Sequence, residues 1–275
     1  MKTNLLICAA MALVSFSIMA APLTESTYTE IIRDVNTVST DGNPNAAKLN
    51  DLLKAPDRVR TGPESRAELT ATDKTITRVG ANTVFSFSDS GRTLNLDHGS
   101  LLFHAPKGIG GGTIKSGGAS AAVLGTTLIV SATADGGFKV ILLEGSGKVT
   151  LPNGKSVTLK AGEMVFVMPN GTELSKVIAI NLGKLVAGSS LVNGFSRPLS
   201  SAPLIQAAVD RQNAAIASGN AVDTGMAANG VNALDPASYS TAAHQPLTVD
   251  QVNALNPAVN KGVGPGGRTF TTGAF

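Results

Sequence analysis

Two carboxylates, Glu144 and Glu163, are the groups in this 275-residue chain best suited to acid-base chemistry, because each lies beside a turn glycine. A pair of carboxylates can act as general acid and base on a glycosidic bond, but only at a defined separation across a cleft. Their places in the sequence set no such separation. We therefore interpret both as solvated charges at strand ends, and an enzyme acting on envelope polysaccharide stays the less favoured alternative.

Two histidines, His98 and His104, flank an apolar stretch and have the same parity. Residues of equal parity on one strand face the same side, so these imidazoles could share a metal ion. No cysteine and no acidic cluster accompanies them, and His244 lies far away in the C-terminal part of the chain. We interpret all three as isolated surface or turn histidines, and the sequence predicts no metal and no other cofactor.

Glycine-rich motifs resemble phosphate and nucleophile loops only in part. Residues 108–113 are followed by Lys115 and Ser116, but a Walker loop requires glycine immediately before the lysine, where this chain has Ile114. A nucleophile elbow at residues 145–147 would require glycine where Glu144 stands. The sequence therefore predicts a flexible loop between strands at 108–113, and no catalytic or cofactor-binding residue.

The composition limits the fold that could position such groups. The chain is 43% hydrophobic but only 4% aromatic and 15% charged, with 30 Gly and 13 Pro, which is enough for one modest core with many turns. Its net charge of +3 is small and dispersed, so we expect no nucleic-acid partner.

The first 21 residues have the pattern of a secretory signal. Lys2 supplies the charged start, residues 5–18 the apolar middle, and Ala20 the predicted cleavage position. An uncleaved anchor is the alternative, but the apolar stretch is shorter than the roughly 20 residues of a spanning helix. Cys8, the only cysteine, lies within this leader, so the mature chain would have no disulfide. Because the apolar stretch would be removed with the leader, the mature chain is also predicted to have no transmembrane segment. We expect an exported protein, periplasmic or extracellular in a bacterium.

Residues 58–171 show short apolar and polar alternations, interrupted every eight to twelve residues by Gly, Asn-Gly, Asp-Gly or Pro signals. This rhythm predicts an all-β sandwich or roll. Residues 66–71 place Ala67, Leu69 and Ala71 on one face, which predicts a half-buried strand. Further strands are predicted at residues 27–35, 58–62, 75–79, 84–88, 94–96, 101–103, 127–130, 138–143, 148–151, 156–159 and 163–168.

Several details of these strands can be predicted. Phe85 and Phe87 share one face and should anchor the core. A turn at His98-Gly99 should separate two strands. Nearly continuous apolar runs at 127–130 and 138–143 predict central strands covered on both faces. Asn153-Gly154 predicts a hairpin, because this dipeptide tolerates positive φ.

Outside the strands, the sequence predicts irregular and helical segments. Residues 40–45 should form a loop, 46–53 one or two helical turns, and 176–192 a short helix or an edge extension of the sheet. Residues 203–216 predict a helix capped by Ser201 and ended by Gly219. Its apolar stripe is more typical of a packing face than of a partner site: Leu204, Ile205, Ala208, Val209 and Ile216.

The last part of the chain, residues 218–275, contains mostly Ala, Asn, Gly and Pro. Such a segment buries too little apolar area to offset its ordering entropy, so it is predicted to be disordered. Residues 231–237 recur with small changes as residues 252–258. The recurrence is either an accidental duplication in a linker, which we favour, or a pair of docking motifs.

Six short motifs occur in order at the spacing of the FecR domain: Arg60-Thr61-Gly62, Arg66-Ala67-Glu68-Leu69, Arg78-Val79-Gly80-Ala81-Asn82-Thr83, Gly125-Thr126, Leu143-Glu144-Gly145 and Ala161-Gly162-Glu163. On these residues the chain resembles FecR-domain proteins over about 57–172, and in particular their secreted, stand-alone members. We attribute Gly62, Gly125, Gly145 and Gly162 to turns and close backbone approaches.

The resemblance implies a periplasmic β domain. The best-known relatives are sensors that join such a domain to a transmembrane helix and a cytoplasmic segment that binds a sigma factor, and they receive signals from iron-siderophore receptors. Only a signal peptide precedes the domain here, so we expect no direct contact with a cytoplasmic sigma factor.

The predicted organisation is an all-β protein of ten or more short strands in a sandwich, roll or solenoid-like FecR domain, with a short helical appendage and a disordered C-terminal tail. Its parts are a signal peptide (1–20), an N-terminal strand and loop (21–56), the FecR-like domain (57–172), an apolar and helical extension (173–217) and the tail (218–275). We expect a non-enzymatic scaffold that binds an envelope protein or polymer. The alternative is a signalling regulator that works through a separate membrane partner.

Overall fold

A computed structural model describes residues 20–169 and 171–225, and the backbone of residues 263–264 and 267–268. The described chain is mostly β-strand, as predicted. The strands are β1 (Glu25–Ile32), β2 (Val35–Val38), β3 (Pro44–Ala46), β4 (Leu52–Lys54), β5 (Arg58–Thr61), β6 (Arg66–Thr70), β7 (Ile76–Val79), β8 (Val84–Phe87), β9 (Thr93–His104), β10 (Gly112–Ser116), β11 (Ala119–Val123), β12 (Thr127–Ala132), β13 (Phe138–Glu144), β14 (Ser146–Thr150), β15 (Ser156–Lys160), β16 (Glu163–Val167), β17 (Ile178–Ala179), β18 (Val263–Gly264) and β19 (Gly267–Arg268).

The first seventeen strands form one hydrogen-bonded sheet that is folded into two layers. The inner sheet has the order β4-β1-β6-β7-β9-β12-β13-β16-β17, and the outer sheet has the order β3-β2-β5-β8-β9-β10-β11-β14-β15. Strand β9 belongs to both layers. All pairings are antiparallel except that of β9 with β10. The architecture is therefore a sandwich whose layers are continuous through one long strand.

The main core lies between the two sheets and contains alternate residues of nearly every strand. Phe85 and Phe87 both point into it, with ring centroids 5.5 Å apart in an edge-to-face arrangement, as their spacing predicted. Strands β12 and β13 are buried along their whole length, which confirms the prediction that they are central. The inner sheet is thus covered on both faces.

The second cover of the inner sheet is a layer of three helices, α1 (Leu182–Gly188), α2 (Ser190–Asn193) and α3 (Ala202–Ala217). Their apolar side chains pack on the outward residues of the inner sheet, including Leu102, Ile141 and Phe166, to form a second core. The helix predicted at 203–216 is confirmed, and Ile205, Ala208 and Val209 of its stripe are buried. None of the three described helices has the length or apolar character needed to cross a membrane.

Four details of the predicted secondary structure are wrong. Residues 46–53 form no helix, because β3 and β4 pair there with β2 and β1. Residues 66–71 are buried on both faces, since Glu68 lies under the helical layer. The hydroxyl of Ser201 makes no cap bond and is buried without a partner. The leader up to residue 19 and the tail from residue 226, with the recurring motif, lie outside the described residues apart from the four residues of β18 and β19.

The fourth error concerns Gly99, which does not end a strand. It lies within β9, whose first half pairs with β8 in the outer sheet and whose second half pairs with β7 and β12 in the inner sheet. A register shift opposite Val84 and Phe85 marks a bulge there. Gly99 has φ +96°, and a Cβ at this position would overlap Thr83. The glycine therefore lets one strand bend from one layer into the other.

Four further glycines occupy the connections where the chain crosses between the layers. Gly62 joins β5 to β6, Gly125 joins β11 to β12, Gly145 joins β13 to β14, and Gly162 joins β15 to β16. The last three have positive φ, and a Cβ on Gly62 would lie 2.6 Å from Oδ2 of Asp34. The prediction that backbone geometry requires these glycines is confirmed.

The helical layer is fixed to the inner sheet through Arg78, whose side chain is completely buried. Its Nε donates to Oε2 of Glu68 at 2.9 Å, directly across the β6–β7 pair. Its two terminal nitrogens donate to the carbonyl oxygens of Leu191, Val192 and Arg197 at 2.6–3.2 Å. The guanidinium also lies 4.4 Å from the ring centroid of Phe195. One side chain thus satisfies two carbonyls of α2 and one of the irregular segment that follows it.

We predict that Arg78→Met destabilises the protein by about 3–5 kcal/mol, because Glu68 is left charged and buried without its partner. Urea unfolding followed by circular dichroism measures this loss. The matched control is Arg60→Met, which removes an exposed arginine and should change stability by less than about 0.5 kcal/mol. Equal stability of the two variants would show that Arg78 does not fix the helical layer to the inner sheet.

We also predict that Gly99→Ala is more destabilising than Gly154→Ala. Both glycines have positive φ, +96° and +83°, but a Cβ at Gly154 meets nothing within 4 Å. The difference in free energy of unfolding should be about 1–3 kcal/mol, which is the cost of displacing Thr83. Thermal and urea unfolding of both variants provide the measurement, and a difference near zero would show that the bend in β9 tolerates a side chain.

Candidate binding face

The face of the outer sheet that points away from the core, here called the outer face, is not covered by the helices. Its strands alternate between buried residues that enter the core and exposed or half-buried residues that point outward. Val59 and Thr61 of β5, for example, are buried, whereas Arg58 and Arg60 are exposed. The outer face is therefore the sheet surface at which a ligand could lie.

Register brings basic side chains from distant parts of the sequence onto this face. Arg58 is opposite Ser86, Ser86 is opposite Asn95, and Asn95 is opposite Lys115. Lys148 is opposite Thr158, two residues from Lys160 on the same strand. The exposed charged residues of the described outer-sheet strands that point outward are Arg58, Arg60, Lys115, Lys148 and Lys160, together with Asp97.

A shallow groove of about 550 Å³ lies at the β2–β5–β8 end of the outer face. Its lining includes the cationic side chains of Arg58 and Arg60, the imidazole of His98, and the carboxylates of Asp34 and Asp97. Nη1 of Arg58 lies 3.3 Å from Oδ2 of Asp97, whereas Arg60 has no carboxylate within 4.0 Å among the described residues. The groove therefore offers one arginine that is free to meet an anion.

A second polar cluster, at the end of the inner sheet, is buried. His104, Thr127 and Glu144 lie opposite one another on β9, β12 and β13, and all three are at most 5% exposed. Thr127 donates its hydroxyl hydrogen to Oε1 of Glu144 at 3.0 Å. Nδ1 of His104 lies 2.9 Å from the same hydroxyl and must therefore donate to it, since threonine has one hydrogen to give.

The interpretation of Glu144 and His104 as surface groups is therefore wrong. Burial raises the pKa of Glu144 and lowers that of His104, while Thr127 and Lys107 partly oppose the shift at Glu144. Thr127 thus lies between the carboxylate and the imidazole. In a nucleophile site the hydroxyl would lie at the end of the chain of hydrogen bonds, next to a base that a third group holds in place, so Thr127 is not arranged as a nucleophile. The cluster satisfies buried polar groups and does not form a nucleophile site.

The remaining candidates do not assemble into a catalytic centre. Glu163 is half-buried and accepts a hydrogen bond from the backbone nitrogen of Lys160 at 2.7 Å, so it has a different partner from Glu144. His98 lines the groove on the outer face, while His104 is in the buried cluster. In residues 20–169 and 171–225, no three His, Cys, Asp or Glu side chains come together as a metal site would require.

The glycine-rich segment at 108–113 also has a structural role. It forms a turn that leads into β10, and the chain continues as a strand rather than as the helix of a phosphate-binding loop. Lys115 then points outward from this strand, whereas Ser116 is buried. Lys115, which follows this glycine-rich segment, is thus one of the basic residues of the outer face.

The basic face was missed in the sequence because its members are up to 102 positions apart, between Arg58 and Lys160. A usable signal did exist. Each basic residue occupies a polar position in an alternating strand pattern, so a register prediction would have aligned them.

We predict that Glu144→Gln stabilises the protein increasingly as pH rises. The raised pKa means that the folded state disfavours the ionised carboxylate, so the wild type loses stability as pH increases from about 4.5 through the folded pKa. Glutamine keeps an acceptor for Thr127 and does not titrate. The melting temperature of the variant minus that of the wild type should grow between about pH 4 and about pH 8.

His104 titrates in the opposite sense, since its lowered pKa removes stability as pH falls below 6.5, but this contribution is common to both proteins. The control is Glu173→Gln, which removes an exposed carboxylate and should give a flat difference. A flat difference for Glu144→Gln as well would contradict the prediction.

The similarity of the chain to solved structures is distant. No curated protein matches the chain. Two crystal structures of a "putative anti-sigma factor" from Parabacteroides distasonis ATCC 8503, at 1.65 Å and 2.50 Å resolution, are similar at 18% and 19% identity with TM-scores of 0.42 and 0.41. Each comparison covers 47% of this chain and 63% or 62% of the other, so the chain spans less than two thirds of either relative.

The family comparison is more specific, because it covers most of the strands that carry the six motifs. Residues 57–150, from the start of β5 to the end of β14, match the family described as FecR protein. The resemblance expected over 57–172 is confirmed for residues 57–150, which are similar to the FecR domain.

Proposed function

We propose that the protein is a non-enzymatic, exported β domain that binds another component of the cell envelope through its outer face. The observation that carries the proposal is that the described elements cover both faces of the inner sheet but only one face of the outer sheet. The inner sheet is covered by the main core on one side and by the helices on the other. The outer sheet leaves one face exposed, and this face carries the basic residues.

The arrangement of the acid-base groups supports a binding role. His104 and Glu144 are buried, and both are hydrogen-bonded to Thr127. Glu163 accepts a hydrogen bond from the backbone nitrogen of Lys160, across the short connection between β15 and β16. A catalytic acid or base must reach the substrate within hydrogen-bond distance. The exposed polar groups of the outer face are mostly hydroxyls and cations, which suit recognition better than proton transfer.

Export is supported by the leader pattern of residues 1–20. Residue 21, which follows the predicted cleavage position, accepts a hydrogen bond from Nη1 of Arg92 at 2.9 Å through its carbonyl oxygen. Leu23 is buried in the main core. A chain that starts at Ala21 would retain these two contacts.

A second candidate is a periplasmic signalling regulator, and the FecR match favours it. In this role the domain would act through a separate membrane protein. Neighbouring genes for an extracytoplasmic sigma factor and a receptor would support the regulator, and their absence would count against it. The two candidates also differ in what they should capture, namely a membrane protein or an envelope component.

The test is site-specific photocrosslinking of the full chain in intact cells. A benzophenone side chain at Ala122 or Thr158, which are exposed on the outer face, should crosslink to the same envelope species. The matched control position is Asn213, which is exposed on α3 in the helical layer. Intact mass of the uncrosslinked protein should show a chain that begins at Ala21.

The outcomes separate the parts of the proposal. Capture from Asn213 but not from Ala122 or Thr158 would move the binding surface to the helices, and capture of nothing above background would overturn the binding role. A protein that retains its leader in the cytoplasmic fraction would overturn export. A single integral membrane protein as the captured species would favour the regulator.

A further inference from the structure

We propose that the outer face binds an extended acidic polysaccharide whose carboxylates meet the row of basic residues across the outer sheet. The inference rests on the proposed function for its location, because it names the chemistry of the envelope component. The chemistry of the ligand is inferred from the arrangement of charges and hydroxyls on the outer face.

Most of the basic side chains of the outer face have no acidic partner among the described residues. Among the described residues, Arg60, Lys115, Lys148 and Lys160 have no carboxylate within 4.0 Å, and only Arg58 is paired, with Asp97. Like charges on the same face of neighbouring strands are destabilising. Lys148 and Lys160 are diagonal neighbours on β14 and β15, and Arg58 and Arg60 are two residues apart on β5. Binding of a polyanion would relieve this repulsion.

The basic residues extend across the sheet and do not form one pocket. Arg58 and Lys115 are separated by three strand spacings, or about 14 Å, and the nine strands of the outer sheet span about 38 Å. Lys148 lies two strands beyond Lys115, and Lys160 lies on the edge strand β15. A small anion would contact one of these positions, whereas a linear polymer lying across the strands can contact all of them.

The side chains between the charges favour a carbohydrate over a protein. They are small and rich in hydroxyls: Ser86, Thr93, Asn95, Thr113, Ser120, Ala122, Thr150, Ser156 and Thr158. Protein interfaces are usually centred on large aromatic or apolar anchors. Within the described strands of the outer sheet, the larger apolar side chains that point outward are Val38 and Val84, and both are half-buried. Leu124, which directly follows β11, is an exposed apolar side chain at one end of this sheet. Hydroxyl and carboxylate groups of a polyuronate match this surface.

The groove gives the row a defined end. Arg60 and His98 line it next to the paired Arg58, so a terminal or branching carboxylate could enter there and meet an unpaired guanidinium. Arginine binds carboxylates bidentately, which adds geometry to the charge attraction. The lysines further along the sheet then hold the polymer by charge.

The experiment measures binding of the purified mature chain to alginate, a linear polyuronate, by calorimetry or biolayer interferometry. Affinity should fall as salt rises from about 50 mM to about 200 mM, because screening weakens contacts between exposed charges. The triple variant Lys115→Gln, Lys148→Gln, Lys160→Gln should bind roughly 10- to 100-fold more weakly, by analogy with the loss of phosphate contacts in polyanion binding. All three lysines are exposed, so the fold should persist, which circular dichroism can check.

The matched control is Lys48→Gln, Lys54→Gln, Lys176→Gln, which removes the same charge from exposed positions outside the outer face. It should bind nearly as tightly as the wild type. No binding of alginate, or equal loss in both triple variants, would overturn the inference. Neutral dextran should not bind, and tighter binding of polyglutamate or single-stranded DNA would overturn the assignment to polysaccharide.

These results are independent of the location of the protein in the cell. A chain that binds alginate in vitro but captures nothing through Ala122 or Thr158 in cells would retain the chemistry of the face and contradict the proposed function. A chain that crosslinks to an envelope protein but ignores alginate would do the reverse.

Discussion

The buried ion pair of Arg78 and Glu68 is the contact on which the three-layer arrangement depends. A charge inside a protein is tolerated only when its hydrogen-bonding groups are satisfied. Here Glu68 meets this requirement from one side, and carbonyls of α2 and of the segment after it meet it from the other. The segment can lie without regular structure on the inner sheet because Arg78 supplies its donors. Arg66 and Glu30 extend the same attachment, binding the backbone at Gly194 and Ser196.

The second constraint is the change of layer, which the chain makes repeatedly with very short connections. Glycines at these corners permit positive φ or the close approach of another chain segment, and threonines next to them saturate the backbone. Thr61 donates to the carbonyl oxygen of Gly80 at 2.6 Å, and Thr126 donates to that of Ser146 at 3.0 Å. Corners built from a glycine and a hydroxyl leave few buried polar groups without a partner, so the two sheets can stay continuous.

The two sides of the sandwich differ in what they leave to solvent. The described helices cover the inner sheet and not the outward face of the outer sheet, which carries exposed charged side chains. Its edge strand β15 is protected as well, since the backbone nitrogen of Lys160 donates to Glu163 and exposed lysines flank the edge. Charged edge strands resist pairing with other chains. The outward face of the outer sheet is therefore basic and rich in hydroxyls, and one of its edges is charged.

The sequence by itself determined the class of fold, most of the strands, the α3 helix, the corner glycines and the resemblance to the FecR family over residues 57–150. These features depend on local alternation, turn residues and short motifs, which are readable along the chain. It also indicated that β12 and β13 are central, because both faces of a covered strand must be apolar. The buried state of Arg78, Glu68, His104 and Glu144 was not readable, because their partners come from up to 119 residues away.

Only the tertiary structure decided which polar residues come together. Residues 46–53 have helical propensity, but their hydrogen bonds are completed by β1 and β2. Gly99 has the signature of a turn, but a bulge carries β9 through it because both halves find partner strands. The basic residues of the outer face are scattered along the chain and come onto a common face only through strand register. Register is a property of the whole sheet, and no single strand contains it.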